Sequence, residues 1–249
     1  TITKGEMTVK KILCGASSYE VKGAGYEEAG EFMLGGKAVV MKNEEVARAL
    51  LKCAVLCNDA RIKLQSEGAY EISGMPTEAS LLVMAAKAGV FKEDYVVERL
   101  EELPFDSKRK MMSVLVEEAG EETVYAKGAP EIVLAKCEYV IKDGHQVRME
   151  ASERSAIIKQ WEALANQAYR TMVLAYKKSE GGELENELVY LGLVAIEDSP
   201  REGVREALAV CQKAGISVKM ITGDNLMTAM SIAKQIGLST AKVVSGEEL

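Results

Sequence analysis

The spacing of hydrophobic and polar positions over residues 15–190 predicts short strands mixed with helices. Apolar residues 32–34 and 38–41 flank Gly35-Gly36, and this pattern predicts a β-hairpin. The other predicted strands cover residues 111–117, 123–127, 171–176 and 188–196. Strands with hairpin connections, mixed with helices, indicate an α+β domain with a mainly antiparallel sheet and flanking helices.

Proline, glycine and capping residues mark the predicted helices of the same region. We expect Asn43 to cap a helix that ends near Asn58, and Pro76 to open a second helix that Gly89 closes. Pro130 starts a short helix, and residues 152–169 form a long amphipathic one.

The pattern changes after Pro200. Helix 202–214, strand 216–218, helix 226–236 and strand 242–244 follow one another, which predicts a parallel sheet with right-handed crossovers. The loop Thr222-Gly223-Asp224 then leads from a strand into a helix N-terminus. Such a loop can bind phosphate, or it can be an ordinary turn in which Asp224 caps the helix.

The composition limits the possible partners. The 249 residues carry a net charge of −7, which gives no general attraction for nucleic acid. No run of about 18 apolar residues is present to span a membrane. Five scattered cysteines argue against a disulfide framework, and Cys53 and Cys57 are expected to be buried thiols.

Three cationic positions stand out. Lys127, with Gly128 after it, ends a predicted strand, where it can contact phosphate or simply face solvent. Phe105 precedes three cations at 108–110, an arrangement that suits either a nucleotide platform or a protected edge strand. Arg170, between a helix and a strand, can bind phosphate or pair with a surface carboxylate.

Taken together and in order, these motifs resemble the cytoplasmic nucleotide-binding part of P-type cation-transporting ATPases of the calcium-pump-like type II branch. The resemblance covers nearly the whole chain. It rests on the following stretches: Thr1-Ile2-Thr3-Lys4-Gly5-Glu6, Tyr26 to Phe32, Cys57-Asn58-Asp59-Ala60, Pro76-Thr77-Glu78-Ala79, Pro104-Phe105-Asp106-Ser107, Lys110, Met112-Ser113, Lys127-Gly128-Ala129-Pro130-Glu131, Arg170, Asp198-Ser199-Pro200-Arg201 and Met220 to Asn225.

The resemblance implies a nucleotide-binding domain, residues 13–199, inserted into a partial Rossmann-like (haloacid-dehalogenase-like) phosphorylation domain formed by residues 1–12 and 200–249. It also implies ATP and Mg²⁺ as cofactors. By this resemblance, Phe105 stacks on adenine, and the base pocket around it is formed by Glu78, Lys110, Lys127 and Gly128. Arg170 forms a link toward the phosphates, and the γ-phosphate contacts Thr222, Gly223 and Asp224. Asp198 and Arg201 form a hinge.

Departures from the family pattern are few. Glu28 and Ser199 stand where proline is usual, and Ser107 replaces an arginine whose role Lys108 or Arg109 could take. The nucleophilic aspartate would lie just before Thr1, and the motif that completes the magnesium site would lie beyond Leu249. We therefore expect this chain to bind ATP without hydrolysing it.

The resemblance further implies a cytoplasmic position in a membrane pump, with the pump's membrane and actuator domains as partners. The transported cation, calcium by resemblance, would bind elsewhere, and no metal ligands are assigned in this chain. Two alternatives stay open: a soluble phosphatase of the same superfamily, which would need an Asp-x-Asp motif, and a non-catalytic nucleotide-binding module.

Overall fold

The computed structural model describes residues 2–23, 25–66, 68–179, 181–201, 203–222, 226–240 and 243–244. Its strands are β1 (Thr3–Cys14), β2 (Ser17–Val21), β3 (Phe32–Leu34), β4 (Lys37–Val39), β5 (Arg61–Leu64), β6 (Tyr70–Ser73), β7 (Glu98–Asp106), β8 (Met111–Glu118), β9 (Glu121–Gly128), β10 (Cys137–Lys142), β11 (His145–Arg148), β12 (Arg170–Lys178) and β13 (Leu188–Pro200). Its helices are α1 (Glu45–Leu56), α2 (Pro76–Lys87), α3 (Pro130–Lys136), α4 (Ala151–Ala165), α5 (Val204–Lys213) and α6 (Leu226–Gln235).

Most strands join one large sheet in the order β4-β3-β2-β1-β13-β12-β9-β8-β7. Neighbours along this path are antiparallel, whereas β10 joins β13 in parallel and carries β11 on its other side. The β5–β6 hairpin stands apart. The predicted antiparallel α+β sheet with flanking helices is therefore confirmed.

The sheet lies between two helix layers because side chains alternate along its strands. Leu174 of β12 packs into the core formed with α1 and α2, and Val173 and Ala175 pack into the core formed with α3 and α4. We call these the α1/α2 face and the α3/α4 face.

Local signals located most elements correctly. The Gly35-Gly36 hairpin forms, and α2 begins at Pro76 and is followed by Gly89 with φ of +67°.

The prediction that Asn43 caps the first helix was wrong. Asn43 lies in a 3-10 turn and donates its own N–H to the Val40 carbonyl, so Glu44, which makes no side-chain capping bond, precedes α1.

The predicted strand at 216–218 does not form. Helices α5 and α6 are present, but residues 216–222 between them carry no strand, and neither do residues 243–244. A short strand needs a neighbour with which to exchange backbone hydrogen bonds, and β13, which ends where this region begins, pairs with β1 and β12. Ile221 is 96% exposed, as expected for a segment that no sheet covers. The described residues therefore show no parallel sheet in this region, and the domain limits near residues 12 and 199 stay predictions.

Within the described part of the chain, every helix is too short or too polar to cross a bilayer.

Lys87, in the last turn of α2, lies beneath the segment around Gly23 and Gly30. Its Nζ is 3.5 Å from the Gly25 carbonyl, and a Cβ added at Gly30 would come within 2.6 Å of its side chain. Burial, and then repulsion by Lys10, lowers the pKa of Lys87 to about 8, against a smaller opposing effect of Glu27. The folded protein therefore holds this ammonium less favourably than the unfolded chain does.

We expect Lys87→Met to stabilise the fold at neutral pH. The folded pKa is lowered, so the cost of the charge is fully present below pH 8 and is lost as pH rises toward the unfolded value of 10.5. Urea unfolding should give a gain of about 1 kcal/mol at pH 7, after allowance for solvent screening, and a smaller gain at pH 10. The control variant Lys159→Met, at an exposed position of α4, should leave the free energy of unfolding unchanged at both pH values. An equal gain from Lys87→Met at pH 7 and pH 10 would refute the explanation.

Candidate functional site

The ends of four neighbouring strands meet at one edge of the large sheet. Asp106 at the end of β7 pairs with Met111 at the start of β8, and Met111 pairs with Gly128 at the end of β9. Gly128 in turn pairs with Val173 of β12, three residues after Arg170 begins that strand. Phe105, Lys110, Lys127, Gly128 and Arg170 are therefore collected at this edge, although they are far apart in the sequence.

Lys127 is buried and paired with Glu78. It lies between Met112 and Leu174 in the strand register, and both of these belong to the core of the α1/α2 face. Its side chain is 3% exposed, and its Nζ lies 2.5 Å from Oε1 of Glu78, whose side chain is 14% exposed. The positive end of the α2 dipole also favours a carboxylate in this first turn. The alternative of an ordinary surface lysine is therefore wrong.

Arg170 and Lys110 are held at the same edge by weaker partners. Arg170 Nη1 donates to the Thr77 hydroxyl at 2.8 Å, and no described carboxylate lies within 4.0 Å of its guanidinium. Lys110 is in the left-handed region, with φ of +54°, and its Nζ lies 3.1 Å from Glu131. The alternative in which Arg170 pairs with a surface carboxylate is therefore not seen among the described residues.

Phe105 lies in a bulge between Leu103 and Asp106 and is 52% exposed. The Asp106 carboxylate accepts the N–H groups of Lys108 and Arg109 at 2.8 and 3.0 Å, and these bonds lower the pKa of Asp106. β7 is the last strand of the sheet, as the edge-strand interpretation required. The three cations, however, occupy the turn after it and not its free edge.

The turn that follows Phe105 is anchored by Arg109. Its guanidinium donates to Glu185 and to the carbonyl of Leu103 at 3.0 Å. The same Glu185 oxygen accepts the Ser113 hydroxyl at 2.8 Å. Arg109 is therefore occupied in fixing the backbone around Phe105, whereas Lys108 and Lys110 are the exposed cations of the turn.

Gly128 is required for packing. A Cβ added there would lie 2.5 Å from both the Lys110 carbonyl oxygen and the Cβ of Met111. The resemblance places Gly128 in the base pocket, and the described contacts give a further reason for a glycine: the start of β8 passes directly over it.

The predicted hinge residues both hold the start of β1. An oxygen of the Asp198 carboxylate accepts the Gly5 N–H at 2.9 Å. Arg201 donates its N–H to the Ile2 carbonyl at 2.9 Å and its Nε to the Thr3 carbonyl at 3.0 Å. Thr222 is exposed, whereas Gly223, Asp224 and Thr1 lie outside the described residues.

Sequence reasoning assigned no role to Thr77, Glu131 or Asn58. Thr77 and Glu131 are the partners of Arg170 and Lys110, and Asn58 is fully buried against α2. The available signal was their position: Thr77 and Glu131 lie next to prolines that open helices, and Asn58 directly follows the end of α1.

Neither the two buried cysteines nor the cleft beside the β5–β6 hairpin belongs to the candidate site. Cys53 and Cys57 are fully buried, as expected, and burial raises the pKa of Cys57 to about 11. A cleft of about 800 Å³ opens between α1 and the β5–β6 hairpin, beside Lys92 and Arg99. Among the described residues, no cluster of three or more His, Cys, Asp or Glu side chains could hold a metal ion.

Comparison with known proteins gives a matching family model and several named relatives. The family model described as P-type ATPase, cytoplasmic domain N, matches residues 46–203. The chain is 36% identical over 262 residues to a calcium-transporting ATPase of Bacillus subtilis (strain 168), which covers 100% of this chain and 29% of that relative. It is 35% identical over 253 residues to the cation-transporting ATPase pma1 of Synechocystis, covering 96% of this chain and 28% of that relative.

A human relative, calcium-transporting ATPase type 2C member 1, is 34% identical over 258 residues, covering 100% of this chain and 27% of the relative. The chain thus spans less than a third of the length of these relatives.

We expect the Lys127–Glu78 pair to show strong coupling in stability. Glu78→Leu leaves a buried ammonium without its carboxylate and should lower the free energy of unfolding by about 3 kcal/mol. The double variant Glu78→Leu/Lys127→Met removes both charges and should recover most of that loss. Urea unfolding of the wild type, both single variants and the double variant gives the coupling; purely additive losses would contradict a buried pair.

Proposed function

Since the chain belongs to the P-type ATPase family and contains its cytoplasmic domain N, we propose that it binds ATP at the sheet edge formed by β7, β8, β9 and β12. The observation that carries this proposal is the buried Lys127–Glu78 pair at the same sheet edge as an exposed phenylalanine, Phe105, with β8 between them. A half-exposed aromatic ring fixed by its own turn offers a stacking surface, and a lysine held in place at the same edge offers a directed N–H donor.

Each residue of the pocket has a proposed role. Phe105 stacks on adenine, where one base–aromatic contact contributes about 1–3 kcal/mol. Lys127 and Gly128 line the base pocket with Glu78 and Lys110. Arg170, whose partner Thr77 is a neutral hydroxyl, keeps its full charge for phosphate oxygens.

The phosphate end of the nucleotide extends toward residues 222–224 in this proposal. Thr222, Gly223 and Asp224 face the γ-phosphate, and Asp198 and Arg201 form the hinge that lets the two regions approach. The bonds from Asp198 and Arg201 to residues 2–5 support the hinge, since they tie together the two strands that lead into it.

For the whole protein we propose an ATP-driven cation pump. The γ-phosphoryl group passes from ATP to an aspartate carboxylate, ADP leaves, and water later releases phosphate. Calcium is the proposed cargo, because two of the relatives above are named for calcium transport. Mg²⁺ is the proposed companion of ATP, but the described residues do not form its site, and no step is assigned to it.

The pump proposal places this chain on the cytoplasmic side of a membrane, with the membrane and actuator domains of the same pump as partners. The transported cation is proposed to bind outside this chain. A soluble phosphatase gains no support, since every named relative above is a transporter.

We expect Phe105→Ala to weaken binding of a fluorescent ATP analogue about tenfold, because the stacking surface is lost. Lys127→Met should weaken binding at least as much, because it removes the directed N–H donor. Fluorescence titration at fixed salt measures both dissociation constants.

Two variants serve as controls for this titration. Val96→Ala removes an apolar side chain that is 93% exposed, and Lys159→Ala removes an exposed cation from α4; both should leave the affinity within about twofold of the wild type. Wild-type affinity in both Phe105→Ala and Lys127→Met would count against the proposed pocket.

The printed sequence contains no Asp-Lys-Thr-Gly motif, so we propose that this chain binds ATP without turnover. Incubation with γ-phosphate-labelled ATP at saturating concentration should leave no acid-stable label on the protein and release no phosphate. Covalent label on the chain would overturn this part of the proposal.

A further inference from the structure

Asn58 connects the end of α1 with the start of α2 through its side chain. The amide Nδ2 donates to the Ala54 carbonyl at 3.0 Å and to the Glu78 carbonyl at 2.9 Å. Its Oδ1 accepts the Ala60 N–H at 3.0 Å. The residue is 0% exposed, so these bonds form without competition from water.

The backbone of the same turn is fixed from the side of the cleft. The Asn58 carbonyl accepts Lys92 Nζ at 3.3 Å and Arg99 Nη2 at 3.2 Å. Arg99 also donates to the Asp59 carboxylate at 2.9 Å. The Cys57 thiol, one residue earlier, reaches the Met112 carbonyl of β8. The turn therefore cannot shift without breaking contacts on several sides.

Glu78 is consequently held at two points. Asn58 binds its backbone carbonyl, and Lys127 binds its carboxylate. The N-cap residue of α2, Met75, makes no side-chain capping bond, so the Asn58 amide supplies a side-chain contact to the first turn that the cap does not. The close approach of Gly74 to Ala60, where an added Cβ would lie 2.9 Å from the Ala60 Cα, packs the same segment onto the turn.

We propose that Asn58 is a positioning residue for nucleotide binding: it sets the position of Glu78, and through Glu78 the direction of the Lys127 ammonium. This inference rests on the proposed nucleotide pocket. Asn58 itself does not contact the nucleotide. A purely structural asparagine would affect stability alone, or would affect affinity independently of Glu78.

A double-mutant cycle separates these cases. The dissociation constant of a fluorescent ATP analogue is measured for the wild type, Asn58→Ala, Glu78→Gln and the double variant, each at a temperature where circular dichroism shows it folded. Each single variant should bind about tenfold more weakly, and the double variant should bind no more than about twofold more weakly than the weaker single variant. Multiplication of the two single effects would overturn the proposal.

Arg154→Met is the matched control. Arg154 also donates to two backbone carbonyls, those of Leu134 and Cys137, but it does so on the α3/α4 face. The Arg154→Met variant should have a lower urea midpoint than the wild type, and its affinity for the ATP analogue should lie within about twofold of the wild-type value. If Asn58→Ala does not fold, Asn58→Ser, which keeps an acceptor for the Ala60 N–H, takes its place in the cycle.

The two proposals fail differently. If the wild type does not bind the analogue, or if Phe105→Ala and Lys127→Met bind as well as the wild type, the pocket itself is refuted and the Asn58 inference falls with it. If those variants lose affinity while Asn58→Ala stays within about twofold of the wild type, the pocket stands and only the positioning role is refuted.

Discussion

The arrangement of the site depends on one interaction, the pairing of the buried Lys127 ammonium with a carboxylate. An ammonium that is 3% exposed costs several kcal/mol in solvation unless a carboxylate meets it at close range. Lys127 points to the α1/α2 face because it alternates with its strand neighbours, so the carboxylate has to come from that layer. Glu78 provides it from the first turn of α2, where Pro76 begins the helix and the dipole favours a negative charge. The position of α2 on the sheet is therefore linked to the charge at the end of β9.

A second constraint acts where β1 and β13 extend past Arg170, at the same strand ends as the candidate site. β1 and β13 pair from Cys14 and Gly192 to Thr3 and Pro200, beside the place where the chain turns toward α5. Asp198 and Arg201 bind backbone groups of residues 2–5. Such bonds fix the separation of the two strands but do not depend on a particular partner residue. These bonds are the structural support for the proposed hinge.

Elements set by local signals could be predicted from the sequence, and elements set by partners could not. Proline at 76, glycine at 89 and the glycine pair at 35 and 36 each restrict the backbone directly, and the corresponding helix and hairpin form. The Asn43 cap failed because the preceding residues form their own turn, and strand 216–218 failed because none of the described strands pairs with it. The site residues were identified through family motifs. Their contacts, such as Arg170 with Thr77, depend on the order of strands that are distant in the sequence.

Strand ends suit this site for a physical reason. Within a strand, a side chain that points into a helix layer is used for packing, whereas at the end of a strand the backbone can leave the regular pleat. Phe105 lies in a bulge, Lys110 has a positive φ, and Arg170 is the first residue of β12, so all three can face outward without disturbing the core. Lys127 is the exception, since it is placed inside the regular part of β9. That placement fixes its direction and requires a buried carboxylate, which Glu78 provides. Lys127 is therefore supported by Glu78, which Asn58 holds in turn.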